Sequence, residues 1–147
     1  VSSGPIRSST GFTLIELMLA LAVVAIVAGI AVPQYGDYML RARLTAAAGT
    51  LKDLRARMEQ RYADNRTYAA GAACAIPAFV DDDNAFGFAC TTSDAGQRFT
   101  WTATGTGRSA GFVYVIDESG VETTTAVRTG WTSETLPVNR FIVRKGG

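Results

Sequence analysis

The chain has 147 residues, a formal net charge of +1 and no histidine. That length supports one domain with a modest core. The near-neutral balance excludes a partner held by whole-molecule charge but leaves local patches open. Without histidine the commonest general base, metal ligand and triad partner are missing. Two cysteines, Cys74 and Cys90, cannot complete a structural zinc site, which leaves a disulfide or two free thiols.

The first element is an apolar helix. From Leu17 to Val32 every residue is apolar or glycine, and back to Phe12 only Thr13 and Glu16 are polar. At about 1.5 Å per residue the run spans roughly 30 Å, the thickness of a bilayer core. A conventional signal peptide has a shorter apolar segment and a cleavage site after it, whereas this run continues through Pro33 into a helical pattern. Gly29 and Pro33 predict a kink or a locally melted turn.

From Tyr35 to about Tyr62 the pattern becomes amphipathic. Leu40, Leu44, Ala47, Leu51, Leu54, Met58 and Tyr62 form one helical stripe, with arginines, Lys52, Asp53 and Glu59 on the other face. Residues 63–97 read as loop. Strands are predicted over 98–104, 111–117 and 121–127, with a short charged edge strand at 140–145. Short connections favour an antiparallel meander. The predicted fold is α+β: a long N-terminal helix, a membrane half followed by an amphipathic half, the latter packed on a four-stranded antiparallel sheet.

Residues 11–18, Gly-Phe-Thr-Leu-Ile-Glu-Leu-Met, end a polar leader and open the apolar helix. This junction resembles the class III signal of type IV pilins and type II secretion pseudopilins. The later segments Pro33–Tyr38 and Met58–Ala69, and the order of the cysteines and strands, are similar to PilE-type minor pilins of type IVa pili. The resemblance implies a pilin fold and a division into a leader (1–11), a transmembrane and polymerisation helix (12–34) and a globular domain (35–147). It implies that a prepilin peptidase cuts after Gly11 and methylates the new amino terminus at Phe12. Glu16 is then the assembly residue: a carboxylate in a bilayer costs about 2.5–3.5 kcal/mol, and the Phe12 amine of a neighbouring subunit would offset it and fix the axial register; the alternative is a Glu16 side chain that snorkels to the interface near the helix start.

The same resemblance implies that the region around Gly29 and Pro33 extends or bends on assembly. It also implies a cytoplasmic leader, a single-pass inner-membrane stage, an inner-membrane assembly platform, and an extracellular pilus of like or mixed subunits. An external location agrees with a Cys74–Cys90 bond. Such pilins often carry a Cys-Trp pair near the last strand; here Arg140-Phe141 stands there and no cysteine follows Cys90, so a C-terminal disulfide is not expected.

Two further constellations stand out in the sequence. Asp81-Asp82-Asp83-Asn84 is acidic, but its contiguous spacing does not match a calcium loop, and a solvated loop is the better reading. Arg128, Arg140, Arg144 and Lys145, with Trp131 and Phe141 nearby, form a basic and aromatic group of the kind that grips DNA; a charged edge strand is the bland alternative. No cofactor and no catalytic set are expected. The predicted function is a structural pilus subunit, a minor pilin serving adhesion, twitching motility or DNA uptake. The alternatives are a type II secretion pseudopilin and a DNA-binding minor pilin of natural transformation.

Overall fold

A computed structural model describes residues 11–146. Residues 1–10 of the expected leader (1–11) therefore lie outside the described residues. The chain falls into two compact units, one ending at Asp37 and one beginning at Tyr38.

Helix α1 runs over Leu14–Asn65. Thr13 starts it: its hydroxyl oxygen accepts the Glu16 N–H at 3.3 Å, the N-cap bond of a Thr-x-x-Glu sequence. The helix is continuous through Gly29 and Pro33, so the melted turn expected there is absent. Proline removes a single backbone donor, and the turns on either side keep the remaining hydrogen bonds. The helix ends where Arg66 takes a left-handed conformation (φ 57°) and its N–H bonds to the Tyr62 carbonyl at 2.8 Å.

Beyond the helix, β1 (Ala69–Ala70) and β2 (Ala73–Cys74) form a small hairpin. Five strands then build one antiparallel meander: β3 (Phe79–Val80), β4 (Phe86–Ser93), β5 (Arg98–Gly105), β6 (Val113–Asp117) and β7 (Glu122–Ala126). The amphipathic stripe packs on this sheet as its spacing requires. Leu44, Leu51 and Met58 are fully buried with Phe86, Phe88, Phe99, Trp101, Tyr114 and Ile116. Cys74 and Cys90 are bonded, with Cα atoms 5.9 Å apart, which ties β2 to β4.

Two sequence expectations require correction. The 63–97 segment is not all loop, because β4 lies in it. Phe86 and Phe88 face the core while Ala89 and Thr91 face outward, a period-2 alternation that pairs β4 with β5 along its whole length. The fourth strand expected at 140–145 does not form. Only an isolated bridge, Thr124 to Val138, joins the C-terminal segment to β7. Side chains replace the missing ladder: the Thr124 hydroxyl donates to the Arg140 carbonyl and accepts the Ile142 N–H, and the Tyr114 hydroxyl donates to the Ile142 carbonyl. With the Arg140 carbonyl and both Ile142 backbone groups satisfied in this way, the segment stays irregular.

Candidate nucleic-acid interface and assembly helix

An antiparallel meander brings alternate connections to the same end of its sheet. The β5–β6 connection and the exit from β7 therefore share one end. At that end Gly105 sits so close to the Ser109 backbone that a Cβ would lie 2.0 Å from the Ser109 carbonyl oxygen, so only glycine fits. This tight turn presents Arg108. Arg128, just past β7, donates from Nη2 to the Arg108 carbonyl, and its guanidinium lies 5.8 Å from the Phe112 ring centroid. The Trp131 N–H bonds to the Arg128 carbonyl at 3.0 Å, and the Gly146 N–H to the Trp131 carbonyl at 2.8 Å. These links bring the Arg144-Lys145 segment to the same corner.

Three of the four basic residues singled out in the sequence, Arg128, Arg144 and Lys145, thus share a corner with Arg108, which the sequence reading missed. All four are exposed, and among the described residues none is in an ion pair with a carboxylate. Arg140 belongs elsewhere: it pairs with Glu134, whose carboxyl that hydrogen bond holds below its ordinary range. The expected aromatic grip is also absent from the surface. Trp131 is buried edge-on against Phe112. Phe141 packs on Tyr114, with the Lys52 ammonium 6.0 Å from its centroid.

Acidic groups border the corner on one side. The Asp81–Asn84 turn reaches it through Thr106, whose hydroxyl donates to the Asn84 carbonyl. Asp81 serves that turn by accepting the N–H groups of Ala85 and Phe86 at 2.6 and 3.0 Å. Asp82 and Asp83 are exposed.

At the other end of the chain, Phe12 and the apolar residues of α1 up to Val32 are exposed within the single chain. The most apolar 18-residue window of α1 has a mean hydropathy of 2.7 and none of it is buried, long and apolar enough to cross a membrane. Glu16 lies in the first turn of this helix.

Comparison with known proteins follows this division. Residues 33–112, more than half of the chain, match the model of a family described as type IV minor pilin ComP, DNA uptake sequence receptor. The chain belongs to this ComP minor pilin family. Residues 6–32 match the prokaryotic N-terminal methylation motif. Curated relatives of this pilin include a fimbrial protein of Pseudomonas aeruginosa, 43% identical over 53 residues (36% of this chain, 34% of the relative). They also include fimbrial protein EcpC of Eikenella corrodens, 38% identical over 72 residues (48% and 47%), and the type IV major alpha-pilin of Moraxella bovis, 44% identical over 45 residues (31% and 28%). The chain spans less than half the length of each.

Proposed function

We propose that this minor pilin is a DNA receptor carried on a type IV pilus. The observation that carries the reading is the corner at which Arg108, Arg128, Arg144 and Lys145 meet without carboxylate partners among the described residues. Unpaired arginines and lysines on one surface neutralise phosphates and release counterions, which supplies much of the affinity for DNA. The family's description as a DNA uptake sequence receptor supports the same reading. Arg140, already neutralised by Glu134, makes no contact in this scheme.

The N-terminal segment supplies the route to the pilus. Prepilin peptidase cleaves between Gly11 and Phe12 and methylates Phe12. Residues 12–34 hold the subunit in the inner membrane and then enter the bundle of helices in the fibre, delivered by the assembly platform. Glu16 pairs there with the Phe12 amine of an adjacent subunit, and residues 35–147 form the exposed domain. The motif matched over residues 6–32 and the uncovered apolar helix support this part.

The test is a binding titration of the full chain in detergent against a short labelled duplex over a range of salt. Wild type should bind with a steep salt dependence. Arg128→Gln should weaken binding and reduce the slope of log K against log salt by about one. Arg140→Gln should leave the slope unchanged. No binding by wild type at low salt would overturn the receptor reading.

A further inference from the structure

The sheet has one face on the helix and one turned away from it. On the outward face, register aligns Ala89, Thr102, Val115 and Thr123 across β4, β5, β6 and β7. The next row toward the basic corner is Gly87, Thr104 and Val113, followed by exposed Thr125 at the bulge on β7. Neither row contains a carboxylate. Glu122, beside Thr123, instead reaches Lys52 on the helix at 2.8 Å. The first outward carboxylate is Asp117, one row further from the corner and opposite Thr100. Arg98, at the far end of β5, is engaged by Glu118 at 3.6 Å. The Asp81–Asn84 turn closes the side of β3 and β4.

We propose that this hydroxyl-bearing face continues the DNA site, carrying the sugar–phosphate backbone from the Arg108–Arg128 corner over Thr104 to Thr102 and Thr123. The inference rests on the receptor reading above. Charge complementarity selects the occupant: a polyanion is repelled by carboxylates, and the two rows nearest the corner have none. Threonine hydroxyls donate to phosphate oxygens and position a duplex without reading its sequence. No aromatic ring lies in the two rows, so bases gain no stacking platform here. Asp117 and the Asp81–Asn84 turn set the borders of the track and direct the duplex toward β7.

The test uses the full chain in detergent and the same labelled duplex. The triple variant Thr102→Val, Thr104→Val and Thr123→Val keeps side-chain shape and removes only hydroxyls. It should bind about tenfold more weakly, the loss of a few hydrogen bonds of modest net strength. Its salt slope should equal that of wild type, because no charge is removed. Thr104→Lys should strengthen binding and steepen the slope by about one, whereas Ala46→Lys on the exposed helix face should do neither. A triple variant that binds like wild type, or a Thr104→Lys variant no better than Ala46→Lys, would overturn the track while leaving the basic corner intact. Failure of wild type itself to bind would overturn both.

Discussion

The Tyr114 hydroxyl and the Ile142 carbonyl oxygen are 2.6 Å apart in the core, a hydrogen bond joining residues 28 positions apart. With the Thr124 hydroxyl, which accepts the Ile142 N–H at 3.0 Å, it fixes a segment that has no strand of its own. Burial raises the Tyr114 phenol above its ordinary value, so it stays protonated and keeps donating. Tyr114→Phe should destabilise the protein by about 1–3 kcal/mol, since it strands a buried carbonyl. Thr124→Val breaks two bonds and should cost at least as much, while Thr124→Ser should be mild. Chemical denaturation midpoints check this order.

Cys74–Cys90 closes a loop with a sequence separation of 16. Its reduction should lower stability by about 3 kcal/mol through the freed unfolded chain. Unfolding with and without reductant measures the difference. Peptide mapping of exported protein without reduction should recover one linked pair.

Asp117 gives a pH dependence with a definite sign. Partial burial pushes its carboxyl up, but hydrogen bonds from the Ser119 hydroxyl and the Val121 N–H outweigh this and lower it below 3.8. A lowered folded-state value adds stability above the ordinary carboxylate range, which is lost as pH falls through the lowered value. Asp117→Asn should therefore be less stable than wild type at neutral pH, and the gap should close below about pH 4. Melting temperatures measured across that range test it.

Glu16→Ala should impair assembly more than membrane insertion. Removing the carboxylate eases insertion by about 2.5–3.5 kcal/mol. On the proposed pairing it also leaves the Phe12 amine of a neighbour without its partner in a low-dielectric bundle, at a cost of about 3–5 kcal/mol. The mutant should accumulate in the membrane and be scarce in sheared fibres, with Glu16→Asp intermediate. Thr13→Val removes the helix cap and keeps the charge, so it should assemble nearly normally. Equal loss in Thr13→Val and Glu16→Ala would assign the defect to the start of the helix and not to the Glu16 charge.

The helix and three strands were legible because their periodicities are long and clean. The buried series from Leu40 to Met58 falls on one face with no interruption. β4 was missed because three aspartates precede it and Gly87 interrupts a short Phe86–Phe88 alternation. The strand expected at 140–145 has a fair β pattern, and nothing local reveals that Thr124 and Tyr114 satisfy its backbone from across the sheet. Arg108 was findable: in an antiparallel meander, the Gly-Thr-Gly-Arg-Ser turn after β5 must share a sheet end with the residues leaving β7. The loss of Arg140 from the basic group was not findable, because its partner Glu134 is set by the path of an irregular loop.

Burial of Trp131 against Phe112, with its backbone N–H bonded to the Arg128 carbonyl, gives the protein an internal optical probe. The chain has only two tryptophans, and the other, Trp101, lies in the core against the helix. The Trp131 indole N–H has no hydrogen-bond partner among the described residues. A Trp101→Phe background isolates it. A change in charge at Arg128, whether by salt, by ligand or by substitution, should then be readable as a fluorescence shift from the ring that packs on Phe112, without attaching a dye to the surface.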